Sequence, residues 1–211
     1  MISLGIGLGL GMISGAPRPL AETLAQSAEK VTLVLTGLLI PERQVPHGLL
    51  IRSTSALWAE VVRVLGGDWS RATEIPSDKW EEIVAGGFKQ AGYHEVILTL
   101  RSRDFGRDVI ATKRGMGTVK ILGSVKAYKP GHLVTYDDIR ALYGVVMAED
   151  ASKGMLVTTS DFPPLVGQDP LLAPLMPAKL ELINWEGLRQ MLLDLANGGE
   201  CQRVSPEGNP T

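Results

Sequence analysis

Asp108, Ser124, Val125 and Lys126 carry the clearest chemistry in this chain. Asp108 opens one strand-like segment, Arg107–Lys113, and Lys126 lies on the next, Thr118–Tyr128. The two are joined by Arg114-Gly115-Met116-Gly117, a glycine-containing hairpin turn. Strand side chains alternate, so Ser124 and Lys126 point to one face. A carboxylate and a lysine on adjacent strands can hold a divalent metal and a nucleophilic water against one phosphate. Asp108 would supply a hard oxygen ligand of the kind Mg²⁺ takes, with Mn²⁺ as a substitute, and the Val125 carbonyl a second. Lys126 would orient or deprotonate the water and stabilise the charge that develops on phosphorus-bound oxygen.

The elements that must position these residues form a readable series from Ser77 onward. Asp78 can cap a helix, with Glu81 three residues on as its capping-box partner. Trp80, Ile83, Val84, Phe88 and Ala91 give that helix an apolar stripe, and Gly92 stops it. Strands are expected over Glu95–Leu100, Arg107–Lys113 and Thr118–Tyr128, the last closed by Pro130-Gly131. A second helix begins at Thr135, with Asp138 three residues on and Ile139, Leu142, Tyr143, Val146 and Met147 along one side. Lys153–Ser160 and Leu180–Asn184 read as strands separated by a proline-rich connection, and Trp185–Ala196 as a final helix. A hairpin-rich start followed by a β-α-β crossover predicts an α/β fold, a mixed sheet with helices on both faces.

The N-terminal 75 residues are less legible and read as a separate module that recognises a target or drives oligomerisation. Pro19–Lys30 fits a helix, Val31–Ile40 a buried strand, and Ser53–Leu65 a helix ended by Gly66-Gly67. Residues 1–16 are apolar and rich in glycine. They lack the basic start of a signal peptide, fall short of a membrane span and do not fit the GxGxxG pattern. A strand or a mobile segment is the reading, against a weaker one of membrane anchoring. The tail after Asn197 is polar and expected to be disordered.

Composition sets outer bounds. The chain has 211 residues, 45% of them hydrophobic and 21% charged, enough for a packed core and against global disorder. Net charge is −2, so the molecule is no polycation. Between Lys79 and Arg140, however, 11 lysines and arginines face 7 carboxylates. That excess suits a phosphate-bearing partner, although on charge alone a solvated basic face is the favoured reading. The single cysteine, Cys201, permits neither an internal disulfide nor a cysteine-rich zinc site, and the cytoplasm is the natural compartment.

Several motifs then combine. Trp80-Glu81 stands eleven residues before Gly92-Tyr93, Asp104-x-Gly-x-Asp108 follows, and Lys126 comes after it. This order resembles the Mrr-like restriction endonucleases, a branch of the PD-(D/E)xK metal-dependent nucleases. Gly154–Ser160, and the later Leu182, Ile183 and Leu188, resemble further stretches of that family. The resemblance covers residues 77–196. It implies a restriction-endonuclease-like core and a metal-dependent DNA endonuclease. The substrate it implies is double-stranded DNA, modified DNA included. Asp108, Lys126, Glu81 and Ser124 would form the catalytic set. The family's Gln or Glu two residues before the lysine is Ser124 here, a weaker ligand than a carboxylate. That departure favours a rival reading: a silent DNA-binding or assembly protein that keeps the nuclease fold.

Other residues have plainer readings. Asp104 fixes its turn through its side chain or binds metal. Glu81 is a helix cap or a site carboxylate. Lys113, Arg114 and Lys129 are singly ordinary surface charges and together a track for a phosphate backbone. His132 has no partner at triad-like spacing. Trp58, Trp69 and Trp185 read as core. A homo-oligomer is the expected assembly, with no membrane partner.

Overall fold

The computed structural model describes residues 38–54, 58–65, 68–99 and 106–198. A single sheet of seven strands runs through them in chain order: β1 Leu39–Val45, β2 Gly48–Thr54, β3 Glu95–Thr99, β4 Val109–Arg114, β5 Thr118–Lys126, β6 Lys153–Thr158 and β7 Leu180–Ile183. The pairs from β1 to β5 are antiparallel, and β5, β6 and β7 run parallel. Among the described residues four α-helices accompany the sheet: α1 Trp58–Leu65, α2 Ser77–Gln90, α3 Tyr136–Ala148 and α4 Trp185–Ala196.

Adjacent strand residues separate into two cores, as the period-2 geometry of a strand requires. Ile51, Val96, Val109, Ile121, Val125 and Val157 face one way and pack with Trp80, Ile83 and Leu188 under α1, α2 and α4. Their neighbours Leu50, Ile97, Ile110, Leu122 and Leu156 face the other way and meet Ile139, Leu142 and Val146 of α3. The mixed sheet with helices on both faces is therefore as the sequence predicts.

The described part of the N-terminal region, residues 38–75, joins this same sheet and core. β2 pairs with β3, and Ile51, Trp58 and Val61 share the core that holds Trp80. Two local expectations need correction. Ser53 and Thr54, read as the start of a helix, are the last residues of β2, and α1 begins at Trp58. The β1–β2 hairpin has no counterpart in the sequence pattern. Its first strand, Leu-Ile-Pro-Glu-Arg-Gln-Val, has no apolar alternation and carries a proline, which suits only an edge strand. Gly48 starts β2 at φ +154°, where an added Cβ would strike the Leu98 carbonyl. The suggested helix over Pro19–Lys30, most of the Val31–Ile40 strand, residues 1–16, Asp104 and the polar tail lie outside the described residues.

Caps explain where two helices start. Thr135 and Asp138 form a reciprocal capping box on α3, and the Asn184 side chain accepts from Gly187 N at 3.1 Å on α4. α2 differs from the sequence reading: its N-cap is Pro76, which offers no side-chain cap bond. Asp78 sits inside the first turn, favourably placed on the helix dipole, and does not begin a capping box with Glu81.

Candidate active site

The start of β4 is fixed from both sides at Asp108. Its amide donates to Gly123 O on β5 at 2.7 Å, and its carbonyl accepts from Thr99 N on β3 at 2.9 Å. In a regular strand both groups of one residue face the same neighbour, so the chain turns at this point. The turn swings the carboxylate over the next stretch of β5. Asp108 Oδ2 accepts a hydrogen bond from Val125 N at 2.6 Å.

That contact locates the Val125 carbonyl as well. Within a strand, a residue's N–H and C=O point to the same side, so the Val125 carbonyl shares the Asp108 side of β5. The groups of Lys126 point the other way, toward β6. Its carbonyl accepts from Thr158 Oγ1 at 2.8 Å and from Thr159 N at 3.3 Å. Thr159 Oγ1 also donates to Tyr128 O at 2.7 Å. The end of β5 is thus bolted to the end of β6, at the carboxyl ends of the parallel strands.

Ser124 and Lys126 share the face toward α3, as expected. Ser124 is buried, with 1% of its surface exposed. Lys126 reaches α3, and its Nζ lies 3.2 Å from Asp138 Oδ1. The other oxygen of Asp138 accepts from Thr135 N at 3.1 Å and Thr135 Oγ1 at 2.7 Å. Burial works to raise the Asp138 pKa. The Thr135 hydrogen bonds and the Lys126 charge outweigh it and hold the carboxyl below its usual range. The neighbouring Tyr128 phenol is raised, by burial first and then by the Asp138 charge. The Asp138–Lys126 contact joins residues 12 positions apart and has no sequence motif. Thr135-x-x-Asp138 was legible only as a helix start.

The remaining predicted residues are dispersed. Glu81 is half-buried on α2, which packs over the opposite sheet face from α3. Lys113 and Arg114 sit at the far end of the β4–β5 hairpin. Asp108 and Lys113 are five strand steps apart, about 17 Å at the usual rise. There Lys113 Nζ lies 5.8 Å from the centre of the Tyr93 ring, and Arg114 Nη2 lies 3.1 Å from Glu95 Oε2. Lys129 is exposed and close in sequence to Lys126, at the site end of β5. His132 packs edge-on against Tyr128 in the loop after β5. Trp58 is core; Trp69 packs at a tilt between Trp80 and Trp185, with ring centres 6.0 and 6.1 Å apart.

Among the described residues no group of three or more histidines, cysteines, aspartates and glutamates comes together to hold a metal. The oxygen donors at the strand ends are one carboxylate, one main-chain carbonyl and one hydroxyl. That set fits a hard cation such as Mg²⁺, which takes one or two carboxylates and keeps several waters.

A mixed sheet covered on both faces, with an aspartate and a lysine at the ends of two neighbouring strands, is a restriction-endonuclease-like architecture. Residues 72–192 match the Mrr_cat restriction endonuclease family, and the chain belongs to that family. No curated protein matches the sequence. Two solved structures are similar. One is the MspJI restriction endonuclease in complex with a 27-mer oligonucleotide, at 18% identity and TM-score 0.40, covering 67% of this chain and 32% of that one. The other is the DNA modification-dependent restriction endonuclease AspBHI, at 15% identity and TM-score 0.42, covering 90% of this chain and 42% of that one. The chain thus spans less than half the length of either.

Proposed function

We propose that this chain is a Mg²⁺-dependent DNA endonuclease that hydrolyses phosphodiester bonds in double-stranded DNA, acting in restriction or phage defence. One observation carries the reading. The Asp108 carboxylate is seated on the main chain of Val125, immediately before Lys126, in a member of the restriction endonuclease family. Asp108, the Val125 carbonyl and Ser124 would hold the cation, with Mn²⁺ as a substitute. Bound there, it would supply Lewis-acid stabilisation to the charge on the scissile phosphate. Lys126 donates hydrogen bonds to the attacking water or to a phosphate oxygen and offsets the negative charge that grows during attack. Glu81, half-buried on α2, is the candidate for a second carboxylate of the site. Lys129 meets the DNA backbone beside the reacting phosphate, and Lys113 and Arg114 meet it farther along.

The second reading, a silent DNA-binding protein, draws on Ser124. A buried hydroxyl stands where the family motif has a Gln or Glu, which leaves the donor set short of charge. One experiment separates the two. Purified protein is incubated with methylated and unmethylated plasmid, in Mg²⁺ or in EDTA. Nicking or linearisation in Mg²⁺ and none in EDTA is expected. Salt-sensitive binding without cutting, under any metal and with either plasmid, would leave the binding reading standing.

A further inference from the structure

Lys126 is gripped at both ends. Its main chain is fixed by Thr158 and Thr159 of β6. Its Nζ lies 3.2 Å from Asp138 Oδ1, with Lys126 27% exposed in its side chain and Asp138 18%. A lysine has four rotatable bonds, and an exposed one samples many rotamers. This one runs from the end of β5 to the first turn of α3. Asp138 is itself held: Thr135 N and Thr135 Oγ1 both donate to its Oδ2. The carboxylate therefore has two separable duties. One oxygen closes the α3 capping box, and the other faces the ammonium of Lys126.

We infer that Asp138 is the positioning residue for Lys126: it anchors the ammonium at the end of β5 by its charge, independently of its part in the α3 capping box. This rests on the nuclease reading for its kinetic consequence. Asp138 belongs to the element that covers the sheet face bearing Ser124 and Lys126. The capping box fixes its direction before any substrate arrives. Of the charged groups around it, Lys126 lies within ion-pair distance. A lysine fixed in this way makes its contact with the reacting phosphate without first being ordered, and small misplacements of such a group cost rate heavily.

The test compares Asp138→Asn with Asp138→Ala. Asparagine keeps an oxygen for Thr135 but presents no negative charge to Lys126; alanine loses both. Measured quantities are single-turnover cleavage of plasmid, DNA affinity, thermal unfolding, and the ¹⁵N signal of the Lys126 ammonium. Positioning predicts that Asp138→Asn unfolds near the wild-type temperature and binds DNA within about twofold. It predicts cleavage about 10- to 100-fold slower, much as in Asp138→Ala, and a Lys126 signal averaged toward that of an exposed lysine. A purely capping role predicts the opposite split, with Asn like wild type and Ala impaired, and that result would overturn the proposal. Wild-type protein that cuts no DNA, while its Lys126 signal shows an ordered pair, would remove the nuclease reading and the kinetic role together. Wild-type cutting with Asp138→Asn equally fast removes the positioning role alone.

Discussion

At the scale of single residues, the contrast between Lys126 and Lys129 is sharpest. Lys126 ends β5 and Lys129 lies in the loop just beyond it, and of the two Lys126 has its main chain fixed to β6 and its side chain fixed to α3. Lys126→Ala is expected to slow cleavage by about 10²-fold or more, the scale of losing a positioned group. Lys129→Ala is expected to weaken DNA binding and flatten its salt dependence. Equal rate losses with unchanged binding in both would mean that the active lysine is misassigned. Ser124 supplies a second residue-level test. Ser124→Glu adds a full charge for a hard cation, so the Mg²⁺ concentration for half-maximal nicking should fall. Because Ser124 is only 1% exposed, the added bulk should also cost about 1–3 kcal/mol of stability. A metal titration of nicking beside a denaturation curve reads both effects. Asp108, Ser124 and Lys126 were visible in the sequence because strand alternation and a short motif mark them. Asp138 was not, since nothing in a capping sequence says which side chain from another element will reach it.

At the scale of elements, α3 matters most, because it covers the face toward which Ser124 and Lys126 point. Its approach to β6 depends on Gly154. A Cβ there would meet Val146 Cγ2 at 2.8 Å and Leu142 Cγ and Leu180 Cδ2 at 3.2 Å each. Valine side chains are stiff, so the helix rather than the side chain must give. Gly154→Val is therefore expected to destabilise the fold by about 1–3 kcal/mol. It should also slow cleavage, because α3 carries Asp138; an unchanged unfolding midpoint would contradict this packing. The C-terminal end of α3 is tied down too, where Glu149 pairs with the buried Arg107 at 2.6 Å and with Lys120 at 2.9 Å. Most elements from Ser77 onward were legible, since apolar stripes and capping residues coincide with them. The β1–β2 hairpin was not. Its outer strand is polar and is the edge of the sheet among the described residues, so it lacks the alternation by which strands are recognised.

At the scale of the whole molecule, one sheet carries everything described, and the site lies where β4 begins and parallel β5 and β6 end. No described helix is long and apolar enough to cross a membrane. We propose that residues 1–75 contribute target reading or oligomerisation, and that the protein works as a homo-oligomer in the cytoplasm. The described part of that region lies within the same sheet, since β2 pairs with β3. The basic groups divide between the two ends of the β4–β5 hairpin, so a duplex lying along it would meet Lys129 near the site and Lys113 and Arg114 about 17 Å away. The central claim is that Asp108 does metal-dependent chemistry rather than simply closing a strand end. The most direct measurement is single-turnover plasmid cleavage in Mg²⁺ by wild type and Asp108→Asn, with DNA binding followed on the same samples. Asparagine keeps an oxygen for Val125 N and loses the charge a cation needs. The account predicts cleavage by wild type, none detectable in the variant, and DNA binding and unfolding temperature nearly unchanged. Cleavage by Asp108→Asn at the wild-type rate, or cleavage by wild type that persists in EDTA, would contradict it.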